Sequence, residues 1–208
     1  MARKSTAKSR ASIRFYRNLL TARFFEGMVG AILELSGYEV YPYGYETLLP
    51  ALRTRFSKRR PSPTEERLRS TPDLLVSDPE AQDGDANTKL VEVKFRNWDS
   101  PEDVKLSGIS WYQRYWPDAI LVLIIPGGDF FYAQAVSELD AHQKTFDLTT
   151  EFRPLSELFR KIHPEIATIF REDVMRFANG PSSDPPRRSG RSTSKKVDPR
   201  GRGKRYTR

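Results

Sequence analysis

The chain has 208 residues and a mass of 24.0 kDa, enough for one domain with a core of its own. It has no cysteine and only two histidines, His142 and His163. Disulfides, iron–sulfur clusters and Cys-ligated zinc are thereby excluded, and a His-rich metal centre or a Ser-His-Asp triad is disfavoured. The net charge of +8 is unevenly placed. Residues 1–14 carry five basic residues and no acid, residues 180–208 carry ten against two, and residues 15–179 carry 20 against 25. A mildly acidic body between two cationic ends points to an anionic polymer as partner, most often nucleic acid.

Residues 1–11 are small, polar and basic and read as a disordered arm; Arg and Ser without acid is also the composition of a transit peptide. Residues 12–36 read as a helix, with Phe25, Val29, Ile32 and Leu33 at helical spacing and Gly37 as the stop. Tyr38 to Tyr43 is strand-like. Residues 46–70 lack a period, with Pro61 and Pro63 as breakers. Asp73 to Val76 is a short strand, 77–88 a turn-rich loop, and Leu90 to Arg96 an alternating strand. Pro101 to Trp116 reads as a helix with proline at its start. Ala119 to Ile125 is continuously apolar, so it is a central strand buried on both faces. At seven residues it is far short of the ~20 that span a membrane. No apolar secretory segment follows Met1. Phe130 to Val136 is a further strand, and 154–178 is one helix or two, broken at Pro164. Residues 180–208, rich in Pro, Gly, Ser and Arg, cannot bury enough surface to fold alone. The expected architecture is α/β: a mixed sheet with helices on its faces and basic tails, the folded body spanning 12–178.

Chemistry concentrates in two strands. Along Val91-Glu92-Val93-Lys94-Phe95-Arg96, Glu92, Lys94 and Arg96 share one face and the apolar residues the other. If the loop runs 77–88, residue 76 faces 89 and Asp73 lies opposite Glu92, with Cβ atoms ~5 Å apart. Two carboxylates so placed repel unless a cation lies between them. Oxygen ligands and waters suit a hard divalent ion such as Mg²⁺. Lys94, one pleat away, can hold or deprotonate a water or steady negative charge on a phosphate. Such alternation is equally the pattern of a solvated strand face, and a one-residue slip would move Asp73 to the other side.

Pro72-Asp73, a spacer, then Glu92-x-Lys94 resembles the PD-(D/E)xK nuclease superfamily, which includes restriction endonucleases and archaeal Holliday-junction resolvases. Glu26, followed by Leu33, Gly37, Tyr38 and Val40, is similar to that family's acidic-helix motif. The resemblance covers roughly residues 20–136 and implies a restriction-endonuclease-like α-β-β-β-α-β core. It implies a Mg²⁺- or Mn²⁺-dependent endonuclease acting on DNA. Asp73 and Glu92 would be metal ligands supported by Glu26, and Lys94 would act on the attacking water. Independently, Glu26 lies on a helix line with Val29, Gly30 and Leu33, where a carboxylate needs a metal or a partner such as Arg23.

Gln113 shares a stripe with Leu106, Ile109 and Trp116 and is either accessory to the site or a hydrogen-bonded group at the core edge. Trp111, Tyr112, Tyr115 and Trp116 either stack on bases or pack the helix. Arg53, Arg55, Lys58, Arg59, Arg60, Arg67 and Arg69 enter the strand that bears Asp73. Together with Arg96 they form a candidate phosphate clamp, a solvated loop being the alternative. His163 borders the helix starting at Pro164, and His142 reads as a surface residue. DNA is the expected partner, RNA or a non-cutting binder the rivals, and the expected placement is cytoplasmic and DNA-associated, or nuclear or organellar in a eukaryote. Cutting both strands calls for two sites, so a homodimer belongs to the same expectation.

Overall fold

The computed structural model describes residues 3–44, 62–81, 87–96, 100–126 and 130–179. Helix α1 spans Arg3–Leu35. It starts well before the expected residue 12 because nothing from 3 to 26 is glycine or proline and Ala, Lys, Arg and Leu all propagate a helix. Gly37, at φ +85°, ends it, and the amides of Ser36, Gly37 and Tyr38 turn back to the carbonyls of Leu33 and Glu34. Strand β1 (Glu39–Pro42) follows.

Helix α2 (Pro63–Arg69) corrects the reading of Pro63 as a breaker. Ser62 accepts the Glu65 amide while the Glu65 carboxylate takes the Ser62 amide, and proline at the first helical position costs no hydrogen bond. Strands β2 (Leu74–Ser77) and β3 (Thr88–Phe95) pair antiparallel, with Leu74 facing Val91 and Ser77 facing Thr88, the expected register.

The helix expected over 101–116 is mostly absent. Strand β4 (Val104–Lys105) pairs with β7 (Thr145–Phe146), and helix α3 is only Ile109–Tyr115. Gly108, at φ +83°, sets the entry to α3, a left-handed conformation that a side chain rarely adopts. Strand β5 (Ile120–Ile124) is buried throughout, as its composition requires, and β6 is Phe131–Ala135. A 3₁₀ turn (Val136–Glu138), helix α4 (Leu148–Glu151), strand β8 (Arg153–Pro154), helix α5 (Leu155–Leu158) and helix α6 (Pro164–Asn179) complete the described chain. Pro164 is the break foreseen, and the Nδ1 atom of His163 accepts the Glu165 amide at 3.3 Å.

The sheet order is β1-β2-β3-β5-β6-β8. Among the described strands only β3 and β5 run parallel; the other neighbours are antiparallel. The result is a mixed α/β arrangement whose expected α-β-β-β-α-β run is interrupted by α2 and β4. One face packs Ile120, Val122 and Ile124 with Val91 against Phe25, Val29, Ile32 and Phe159. The other packs Leu121 and Leu123 against Ile109, Phe146 and Leu148. Full burial stabilises by roughly 1.5–3 kcal/mol per large apolar side chain, so β5, shared by both cores, anchors the fold. Among the described residues no helix is long and apolar enough to cross a membrane.

Candidate functional site

Strand β3 divides its side chains between the two layers. Phe95 stacks on Phe25 of α1 with ring centroids 3.9 Å apart. Glu92 and Lys94 face α3, beside Leu121 and Leu123 of β5. Glu92 is therefore a buried carboxylate in a leucine-rich layer, 6% exposed. Such a group is costly unless it is paired and hydrogen-bonded. Its Oε1 accepts from Lys94 Nζ at 2.7 Å and from the Tyr112 hydroxyl at 2.5 Å. Lys94 Nζ also donates to the Tyr112 oxygen at 3.3 Å and lies 4.9 Å from the ring centroid. Burial, then the adjacent Glu92 carboxylate, push the Tyr112 hydroxyl well above its ordinary range, so it remains a proton donor.

Asp73 sits where β2 begins, and the β2–β3 register carried one residue further sets it opposite Glu92. Its Oδ2 accepts the Val93 amide at 2.9 Å. Its backbone carbonyl receives the amides of Tyr43 and Gly44 at 2.8 and 3.1 Å, so the chain leaving β1 is tied across it. Burial, then the Glu92 and Glu26 carboxylates, raise the Asp73 acid well above the usual carboxylate range, against the opposing pull of the Val93 amide and Lys94. Glu26 and Asp73 both line a crease of about 290 Å³ between α1 and the β1–β2 edge. Glu26 meets Arg23 through an Nη1–Oε2 contact of 2.8 Å, the i−3 pair anticipated for it.

Asp73, Glu92 and Lys94 are thus brought together, and Glu26 approaches Asp73 from the helix side. Among the described residues, no group of three Asp, Glu or His side chains is arranged to hold one ion. The donor set that remains is an opposed carboxylate pair carrying excess negative charge. That set fits a Mg²⁺-type ion, which takes one or two carboxylates and keeps its waters.

Gln113 is turned to structural use, its amide nitrogen donating to the carbonyls of Val136 (3.1 Å) and Leu139. Arg96 spends Nη1 on the Phe95 carbonyl at 3.0 Å and Nε on that of Lys105 at 3.4 Å. Arg67 lies 5.3 Å over the Trp116 ring, whose Nε1 donates to Ser70 Oγ at 3.3 Å. Tyr115 donates to Glu66 at 3.3 Å, and these contacts clamp α2 to α3. Arg69 lies in the last turn of α2. Arg53, Arg55, Lys58, Arg59 and Arg60 lie outside the described residues. Of the aromatic group, Trp111 remains about half exposed. Tyr112 is the residue that the sequence placed only in an aromatic cluster. Its one signal was a hydroxyl-bearing aromatic on the helix following the Glu-x-Lys strand.

No family model and no curated protein matches the chain. Among solved structures it is similar to Hjc, a Holliday junction resolvase from the archaeal hyperthermophile Archaeoglobus fulgidus, at 15% identity and a TM-score of 0.40. The match covers 67% of this chain and 98% of that one. A likeness so remote assigns no role to any residue of this chain.

Proposed function

We propose that the protein is a divalent-metal-dependent nuclease that hydrolyses phosphodiester bonds in DNA, of the restriction, repair or recombination type. The observation that carries this reading is the meeting of Asp73, Glu92 and Lys94 at one point of the sheet, in a register that opposes the two carboxylates. Asp73 and Glu92 would hold Mg²⁺ or Mn²⁺, with Glu26 supporting through water. A bound ion of this kind supplies Lewis acidity, lowering the pKa of a water and neutralising charge on the phosphate. Lys94 would present a cation to the attacking water and the phosphate oxygens. Tyr112 and the leucines of β5 hold Glu92 and Lys94 in a dry, fixed orientation. The basic residues of 53–69 and the cationic ends of the chain supply phosphate contacts.

The test is incubation of the purified protein with plasmid, branched DNA and RNA, in Mg²⁺, Mn²⁺ or EDTA. DNA is cut with metal and left intact in EDTA and by Asp73→Asn or Glu92→Gln. Lys94→Ala loses about 10²-fold or more in turnover, the scale of one aligned charge or proton-transfer group. Binding without cutting in either metal identifies a non-catalytic nucleic-acid binder, and preferential cleavage of RNA identifies an RNase.

A further inference from the structure

Helix α1 is 33 residues long, yet among its described side chains the core uses only one side of the C-terminal half, through Phe25, Met28, Val29, Ile32 and Leu33. A second apolar line runs along another side. Positions 13, 16, 20, 24, 27, 31 and 35 are Ile, Tyr, Leu, Phe, Gly, Ala and Leu, spaced 3-4-4-3-4-4. That is two periods of an 11-residue repeat, which stays nearly parallel to the axis of a straight helix. At 3.6 residues per turn the seven positions fall within about 100° of arc, roughly 140° from the core-facing side. Ile13 is 65% exposed, Tyr16 62%, Leu20 71% and Leu35 66%. Single exposed apolar residues are ordinary, but a periodic line of them about 33 Å long is an interaction surface.

We propose that this line is the contact between two copies of the chain, packed antiparallel about a two-fold axis at Phe24. Two independent features select a second copy. The first is size. When α1 is laid antiparallel on itself with Phe24 over Phe24, Ile13 faces Leu35, while Tyr16 and Leu20 fall within one residue's rise of Ala31 and Gly27. Each large side chain of the projecting half meets a small residue or an aliphatic end on the anchored half. A Cβ built on Gly27 meets nothing within 4 Å, so the space above it is open.

The second feature is charge. Within the paired span, 13–23 carry Arg14, Arg17 and Arg23 and no acid, whereas 24–35 carry Glu26 and Glu34 and no base. Antiparallel pairing sets the basic half of each copy beside the acidic half of the other, at both ends at once. Parallel pairing would set like charge on like. A two-fold interface must be self-complementary, and α1 meets that condition in shape and in sign. The arrangement does not rest on the nuclease reading, since none of its contacts involves Asp73, Glu92 or Lys94.

The chain lacks cysteine, so single cysteines report distances directly. The full-length protein is measured by sedimentation equilibrium and by cross-linking with a short bismaleimide. The expected results are a dimer at micromolar concentration and self-cross-linking of Phe24→Cys. Ile13→Cys and Leu35→Cys link when mixed but not singly, because equivalent positions 13 lie about 33 Å apart along the axis. Leu20→Glu weakens dimerisation about 30-fold or more, the loss of one hot-spot side chain. Leu20 is exposed, so the variant folds, as circular dichroism checks. A monomeric parent overturns the proposal, as does a dimer indifferent to Leu20→Glu or self-linking of Ile13→Cys. A monomer whose α1 instead binds vesicles containing anionic lipid identifies the line as a membrane-surface helix.

Discussion

Removing the Tyr112 hydroxyl tests how the buried acid is maintained. In Tyr112→Phe the ring stays in place, and the donor to Glu92 is lost together with the longer 3.3 Å acceptor for Lys94. A hydrogen bond to a charged group contributes ~1.5–3 kcal/mol. Lys94 remains on the same carboxylate oxygen, so Glu92 is not left bare, and the loss belongs at the lower end, about 1.5–2 kcal/mol. For a chain of this size that lowers Tm by roughly 3–8 °C. A double-mutant cycle with Glu92→Gln, read by urea denaturation with EDTA present, isolates the contact. Gln keeps an acceptor but removes the charge, so Tyr112→Phe costs less there, by about 1 kcal/mol or more. Because burial and Glu92 drive the Tyr112 hydroxyl far upward, the coupling is the same at pH 7 and at mildly alkaline pH. Additivity of the two substitutions within about 0.5 kcal/mol, or a Tyr112→Phe protein as stable as the parent, would refute the reasoning.

Asp73→Asn keeps an acceptor for the Val93 amide but removes one of the clustered negative charges. It raises the urea midpoint at pH 7 in EDTA, and divalent ions stabilise the parent more than the variant; a lowered midpoint in EDTA contradicts the electrostatic account. A third prediction concerns Lys161, whose ammonium meets Asp78 at 2.6 Å and Glu80 at 2.7 Å. The Lys161 contact holds Asp78 below its ordinary range, and Asp78 raises Lys161. Asp78 adds stability above the unfolded carboxylate pKa near ~4, lost as pH falls through its lowered folded value. Lys161 adds stability below its unfolded pKa near ~10.4, lost as pH rises through its raised folded value. Lys161→Met therefore loses a constant increment between about pH 4 and pH 10, and the difference closes at both extremes, as urea midpoints across pH will show.

Features written in short-range chemistry were legible in the sequence. The strict alternation of 91–96 gave the face shared by Glu92 and Lys94, and turn residues bounded the loop well enough to set the Asp73 register. The unbroken apolar run of 119–125 announced a central strand. Gly108 misled: glycine inside a helical pattern is tolerated often enough that the residues before it were absorbed into the helix. The two-residue strands β4 and β7 have no local signature, since each exists only through a partner some 40 residues away. The capping box at Ser62 and Glu65 is a local signal that the flanking prolines, read as breakers, conceal. Tyr112 could not be placed, because its value lies in a contact to another element of the sheet.

The parallel pairing of β3 with β5 bears on how the chain assembles. Antiparallel neighbours close in sequence, β2 with β3 and β5 with β6, close small loops at low entropic cost. The β3–β5 seam closes over the whole excursion through β4 and α3, so it costs more loop-closure entropy than either hairpin. Glu92 pairs with Leu121 and Lys94 with Leu123 along that seam. Without that seam Glu92 and Lys94 would stand on an open sheet edge, so a chain that lacks it carries every residue of the site without the site itself.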